Sequence, residues 1–557
     1  MNAKTLNLFV KHIMSNTDIL SGINISREQV LADFRLANVS RNLSITGRRE
    51  VLSGKAKFGI FGDGKEIVQI ALAKQFRDGD WRSGYYRDQT WMMAMGLFDP
   101  LQFFHQLYGN TDRELDFVGS GGRVFNNHFS VPNINPDGTW RDLTKQKNSS
   151  SDISPTAGQM PRLLGLAYAS KLFRQNGELH KFTNLSLQGN EVAFGTIGDA
   201  STSEGHFWET INAGGVLQVP MAVTVYDDGY GISVPKKYQT TKGSISDILR
   251  GFEDEPGKPG YLIYKGKGWD YPGLISMYRE GIEICRRDHK PVLFHIEEVT
   301  QPLGHSTSGS HERYKSEERL KWEKDFDPLL KMREWIIENN IATPQELDTI
   351  AAESEEEAKQ ARKKSWEMFQ EPVRVERDAL VKIINDRSCR CSEESKEASV
   401  DNITDDLMKV AAPIRRDNFM AARKILRNVC ETCIKSDNLR EDLHGWLKRN
   451  YADASFRYNT FLYNETPTSV LKVSPVEPVF SENSPEVPGR EILRDNYEKL
   501  FTKYPLLVTF GEDTGNIGGV NQSLEGLQKK FGELRITDTG IREATILGQG
   551  IGLALRG

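Results

Sequence analysis

Asp199 and Asp228 are the two side chains in this sequence whose type and spacing point most directly to chemistry. The run from Val192 to Ile197 is short, apolar and partly β-branched, and Gly198-Asp199 closes it, which predicts a parallel strand ending at a tight turn. From Thr202 the apolar residues Phe207, Ile211 and Leu217 share one helical face, with Thr202 or Ser203 available as N-cap and Glu204 in the first turn. Pro220 ends that crossover, Met221 to Val225 form a second strand, and Asp227-Asp228-Gly229-Tyr230 is the loop beyond it. A right-handed strand-helix-strand unit brings both strand ends to one sheet edge, where open α/β sheets bind ligands. Asp199 and Asp228 are therefore expected to face each other. Two desolvated carboxylates with nothing between them repel, and a hard divalent cation resolves the conflict. Asp199, Asp228 and the backbone carbonyl of Tyr230 are the expected ligands, leaving positions for water and phosphate oxygens, as suits Mg²⁺.

Three further segments carry polar groups of the right kind. Tyr86-Arg87 sets an arginine beside an aromatic ring, a pairing that can make charge-assisted bonds to a phosphate. Pro291 to Ile296 reads as another buried strand, continued to a loop Gly304-His305-Ser306-Thr307-Ser308 whose histidine can reach a phosphate or a substrate carboxylate. Gly122-Arg123 with His128 and Phe129 places a second histidine in a loop. The run Gly59-Ile60-Phe61-Gly62-Asp63-Gly64-Lys65 fits a phosphate-loop pattern by letter. Glu66 stands where a metal-binding Ser or Thr is needed, and no clean strand precedes it, so a turn leading into a helix is the better reading.

These motifs together resemble thiamine diphosphate-dependent enzymes, and within them the decarboxylating component of 2-oxo acid dehydrogenase complexes of the branched-chain type. The resemblance rests on Gly198-Asp199, on Asp228-Gly229-Tyr230-Gly231-Ile232-Ser233, on Ser203-Glu204-Gly205 and on the His305 loop. It departs at Ala200, where the family usually has Gly, and at Asp228, where it usually has Asn. Ala200 is tolerable if its φ is negative. Asp228 adds a charge, so the two aspartates would neutralise the metal and leave the diphosphate to be balanced by basic side chains.

The resemblance implies a thiamine diphosphate-binding α/β fold, with a parallel sheet flanked by helices, a helical insert and the start of a second α/β domain. Tyr86, Arg87, Gly198, Asp199, Ala200, Ser201, Asp228, Tyr230 and His305 are then its coenzyme-binding residues. Ser154 and Thr156, in the loop before the small-residue helix PRLLGLAYASKLF, are candidates for the aminopyrimidine side. Near the chain's end, Gly511-Glu512-Asp513, Gly518-Gly519-Val520 and Ile541-Arg542-Glu543-Ala544 resemble the beginning of the pyrimidine-binding half, usually a separate β subunit. Glu543 matches the carboxyl that hydrogen-bonds the aminopyrimidine nitrogen, a role requiring burial and a raised pKa. Glu512 is the candidate proton relay, while His128 and His305 would bind the substrate carboxylate and serve the lipoyl sulfur. Alpha-like and beta-like halves are thus fused, and the chain is expected to stop just inside the second.

The implied reaction is oxidative decarboxylation of a 2-oxo acid, with 2-oxoisovalerate as the expected substrate and acyl transfer to the lipoyl domain of an acyltransferase. A homodimer of fused chains is the expected assembly. Transketolase-like ketol transfer and an inactive cofactor-binding scaffold are the alternatives.

The bulk properties bound the partners. With 557 residues, a net charge of -5 and 27% charged residues, nothing favours nucleic acid or an anionic membrane. The apolar runs are too short to span a bilayer, and the N-terminus lacks a signal-peptide pattern, so a cytoplasmic location is expected. Cys389, Cys391, Cys430 and Cys433 could supply four thiolates to zinc, although reduced thiols are the simpler expectation. The chain divides into a helical arm at 1–45, a diphosphate and metal domain at 46–330, a helical region with a polar, loop-like or disordered insert (377–405) at 331–465, a Pro/Ser linker at 466–489 and the incomplete second domain at 490–557.

Overall fold

The structure is a computed structural model and describes residues 25–387, 394–430, 433–460, 462–467 and 469–557. Its centre is a six-stranded sheet of β1 (Trp81–Ser83), β2 (Asn148–Ser149), β3 (Ala193–Gly198), β4 (Met221–Tyr226), β5 (Leu262–Lys267) and β6 (Val292–Glu297). The order is β2-β1-β3-β4-β6-β5 and every pairing is parallel.

Helices α1 (Arg27–Leu52), α2 (Glu66–Ala73), α3 (Gln159–Gln175), α4 (Gly205–Leu217) and α5 (Tyr271–Asp288) cover both faces. Alternate residues of the central strands enter two separate cores. Ala193, Ile197, Val223 and Val225 pack with Leu163 and Leu164 of α3 and with Phe207 and Ile211 of α4. Phe194, Tyr226 and Phe294 pack with Ile67 and Ile70 of α2 and with Leu274 and Tyr278 of α5. Burial on both faces explains why these strands read as continuous apolar runs.

The arm expected at 1–45 is, over its described part, α1, which runs on to Leu52, so the boundary at 45 falls inside a helix. Its buried face continues through Leu43, Ser44 and Gly47, which carries the element past that point. Residues 1–24 lie outside the described residues.

The polar insert expected at 377–405 is corrected. α6 (Pro344–Arg387) is a 44-residue helix, and α7 (Glu394–Lys409) follows it. Val373, Leu380 and Ile384 form a buried stripe at helical spacing, which the surrounding charge concealed. The first part of α6 packs through Leu347 and Ala358 on the main core. Its last part joins α7, α8 (Arg415–Asn428) and α9 (Ile434–Asn459) in a separate helical core around Ile425, Leu443 and Trp446. Cys389 and Cys391 lie outside the described residues.

Of the linker expected at 466–489, residues 470–488 are exposed, with one turn at Val470–Lys472, and Gly489 already opens a helix. Beyond it come α10 (Gly489–Lys503), β7 (Thr509–Gly511), β8 (Ile536–Asp538) and α11 (Glu543–Ala554), with β7 and β8 parallel.

Helix α11 lies along α3 at backbone contact. A Cβ on Gly165 would come within 2.1 Å of the Gln549 carbonyl oxygen, and one on Gly552 within 2.2 Å of the Arg162 carbonyl oxygen. Gly548 meets Pro161, so the two helices run in parallel register. Buried Arg556 fastens the far end, pairing with Glu191 at 2.8 Å and donating to the Leu166 carbonyl and Ser170 Oγ, each at 3.0 Å. Among the described residues no helix is long and apolar enough to cross a membrane.

Candidate active site

β3 and β4 pair in register up to Gly198 opposite Tyr226, so the residues after them, Asp199 and Asp227-Asp228, leave the same sheet edge together. They open on a cleft of about 710 Å³ lined by Tyr85, Tyr86, Arg87, Thr156, Asp228 and His305, among others. Gly198, Asp199, Ala200, Ser201 and Tyr230 line it too, as expected from the sequence.

Asp199 is buried, and its Oδ2 has no hydrogen-bond partner. Burial, then the charges of Asp228 and Asp227, push its carboxyl well above the usual range. Asp227 is already committed. His295 Nε2 donates to it at 3.0 Å and Lys236 at 2.8 Å, and these bonds hold it below its ordinary value against the effect of burial. Asp228 Oδ1 accepts from the Tyr230 amide at 3.1 Å.

An orphaned buried carboxylate oxygen beside a second carboxylate fits a cation completed by ligand oxygens and water. Among the described residues no cluster of three or more His, Cys, Asp or Glu could hold a metal alone.

The turn after β3 differs from expectation. Asp199–Ser203 is a 3-10 turn and α4 starts at Gly205, with Glu204 at the N-cap position and no side-chain cap. Thr202 Oγ1 instead donates to the Asp199 carbonyl at 2.6 Å and Ser203 Oγ to the Gln239 carbonyl at 3.0 Å. Ala200 lies within this right-handed turn and not among the positive-φ residues, so the absence of glycine is not a strain. Gly231 accommodates it instead, since a Cβ there would lie 2.9 Å from Ala200 Cβ. Its neighbour Ile232 is a β-branched residue at φ 59, a sterically costly conformation at the cleft wall that no sequence pattern announced.

Arg87 is buried, donates to the Phe61 carbonyl at 2.8 Å, and reaches His305. Burial first, and then the Arg87 charge, pull the His305 imidazole down to about 4. The other expected histidine sits differently. His128 is buried behind Tyr86, their rings 6.0 Å apart, and does not line the cleft. Its Nδ1 meets the Asn126 carbonyl at 3.0 Å, so that nitrogen carries the proton and Nε2 accepts from Ser154 Oγ at 3.0 Å. Ser154 therefore anchors His128, whereas Thr156 does line the cleft and donates to Glu204 at 2.9 Å.

The parallel register of α3 and α11 places Glu543, the first residue of α11, at the end of the crossing where α3 begins. Thr156 and Ser154 precede α3 at that same end. Glu543 is exposed in the single chain. Glu512 is half-buried and its Oε1 has no hydrogen-bond partner.

Sequence reasoning missed Lys65. It was set aside with the phosphate-loop pattern, yet the turn carries it to Asp228, with Nζ 3.8 Å from Oδ2. The Gly-Lys pair was the available signal, and the approach of distant loops hid its meaning.

The fold and the site define the class. Residues 35–373, more than half of the chain, match the dehydrogenase E1 component family, and residues 486–557 match the transketolase pyrimidine-binding domain. The chain belongs to the dehydrogenase E1 component family and is a 2-oxo acid dehydrogenase with an α/β thiamine diphosphate-binding fold. It is similar to the 2-oxoisovalerate dehydrogenase subunit alpha of Bacillus subtilis, 26% identical over 326 residues, which cover 56% of this chain and 84% of that protein. The mitochondrial counterpart from Mus musculus is 26% identical over 362 residues, covering 63% and 69%, and the alpha 1 protein of Arabidopsis thaliana is 24% identical over 335 residues, covering 60% and 61%. The alpha-family match followed by the pyrimidine-domain match gives the domain order of an alpha-beta fusion.

Proposed function

We propose that the chain catalyses thiamine diphosphate- and Mg²⁺-dependent oxidative decarboxylation of a branched-chain 2-oxo acid, 2-oxoisovalerate, and passes the acyl group to a lipoyl domain. The observation that carries this reading is the unpartnered Asp199 oxygen in a cleft that Asp228, Arg87 and His305 also line. The names of the relatives support the choice of substrate.

When bound, thiamine diphosphate supplies the carbon nucleophile and the electron sink. Asp199 and Asp228 would hold the cation and thereby the diphosphate, with Tyr230 beside them. Tyr86, Arg87, Gly198, Ala200 and Ser201 shape the walls around it. His305 would offer its Nε2 proton to an anionic carboxylate, because Arg87 already occupies Nδ1. His128 would stand behind Tyr86, the two rings 6.0 Å apart. Glu543 would orient the aminopyrimidine, and Glu512 would relay protons. Glu543 is exposed in one chain, so a second copy is the expected source of its burial, and a homodimer working in the cytoplasm with an acyltransferase core is the proposed assembly.

The test is CO₂ release from 2-oxoisovalerate, and acyl transfer to an isolated lipoyl domain, measured against ketol transfer between sugar phosphates. Release of CO₂ that is lost in Glu543→Gln, with thiamine diphosphate still bound, supports the proposal. Ketol transfer without decarboxylation would favour the transketolase alternative. Coenzyme binding with no turnover of any 2-oxo acid would favour a scaffold.

A further inference from the structure

We propose that Lys65 is a positioning residue of the cation and diphosphate site, a built-in counter-charge that allows an aspartate at 228. The inference rests on the functional reading above and deepens it.

Lys65 is 1% exposed and lies outside the cleft wall, behind Asp228. Its Nζ sits 3.8 Å from Asp228 Oδ2 and 3.4 Å from both the Thr300 carbonyl and Gln301 Oε1. Among the described residues, Asp228 supplies the carboxylate paired with it. The neighbouring acids are engaged elsewhere. Glu66 forms a forked pair with Arg41 at 2.7 and 3.1 Å, and Asp63 accepts the Leu303 amide at 2.8 Å.

The turn is shaped to deliver this lysine. Gly64 has φ 83, and a Cβ there would lie 2.0 Å from the Thr300 carbonyl oxygen. A Cβ on Gly62 would lie 2.5 Å from the Arg87 carbonyl oxygen. The glycines let the turn wedge between the loop bearing Arg87 and the loop bearing Gln301 and His305, which places the ammonium at Asp228.

The electrostatic need is plain. Asp199 and Asp228 together cancel a divalent cation and leave an anionic diphosphate to be balanced by other basic groups, of which Arg87 lines the cleft. A buried ammonium behind Asp228 restores one positive charge at short range, where low dielectric makes it count. Lysine and aspartate therefore act as a unit, formally equivalent in charge to an uncharged pair.

The test is a double-mutant cycle on Lys65→Met and Asp228→Asn, using calorimetry on the full chain. Two quantities are read: thiamine diphosphate affinity at saturating Mg²⁺, and the Mg²⁺ concentration that half-saturates uptake. Lys65→Met should weaken coenzyme affinity about tenfold or more. Asp228→Asn, which sets an unpaired ammonium beside the cation, should raise the Mg²⁺ requirement. The double variant should return both values to within about threefold of the parent, which a merely structural lysine could not do.

Unchanged affinity in Lys65→Met, or a double variant as weak as the worse single one, overturns the inference. If Lys65→Met does not fold, the comparison of Asp228→Asn with the double variant decides it. The Mg²⁺ requirement must then fall back in the double variant, and its failure to do so overturns the inference. No uptake by the unaltered protein overturns the functional reading and this inference with it, whereas normal uptake that ignores Lys65 overturns this inference alone.

Discussion

Arg87 Nη2 donates to His305 twice, to the ring Nδ1 at 3.0 Å and to the backbone carbonyl at 2.9 Å. A guanidinium only donates, so Nδ1 must be unprotonated and the neutral ring carries its hydrogen on Nε2. The pKa of about 4 predicts that His305 stays neutral throughout the physiological range. Because this value lies below the ordinary histidine value of 6.5, the unfolded chain binds the extra proton between these limits. The site's contribution to stability is therefore complete above about pH 6.5 and declines as pH falls toward 4. NMR titration of the His305 ring should show this midpoint, and Arg87→Met should move it upward. A midpoint near 6.5 in the unaltered protein would refute the arrangement.

Arg82 forms the buried scaffold beneath the cleft. It pairs with Asp88 at 2.6 Å and Asp152 at 2.9 Å, all three side chains being fully buried. It thereby ties the segment leading to Arg87 to the one leading to Ser154 and Thr156. Arg82→Met leaves two carboxylates without their cation and should cost about 3–5 kcal/mol. Chemical denaturation should show that loss. An unchanged midpoint would mean the pair holds nothing together.

Gly165 marks the closest approach of α3 and α11. A single methyl group there meets the Gln549 carbonyl oxygen, so Gly165→Ala should destabilise this junction by about 1–3 kcal/mol. Limited proteolysis should then cut within 490–557 sooner than in the parent. Equal cleavage rates would show that the backbone contact is dispensable.

The strand-turn-helix-strand unit was legible because both strands are buried on both faces and so read as apolar runs with an acid at each end. The tips at Asp199 and Asp228 followed from that, and Arg87 and His305 joined them through the family resemblance. Lys65 was not legible, since its meaning depends on an approach by Thr300 and Gln301 from far along the chain. His128 looked like a second catalytic histidine, but its two nitrogens serve Asn126 and Ser154. The segment 377–405 differs from its polar, loop-like expectation because its charged residues outnumber an apolar stripe, with Leu380 and Ile384, that only helical geometry aligns. The exposure of Glu543 in the single chain was not legible, since it depends on how α11 lies against α3 and not on local sequence.

Calorimetric titration of thiamine diphosphate, with and without Mg²⁺, on the unaltered chain and on Asp199→Ala tests the central claim most directly. The account predicts Mg²⁺-dependent uptake by the unaltered chain and a loss of at least about a hundredfold in Asp199→Ala. Uptake that persists in Asp199→Ala with its cation dependence intact would contradict it.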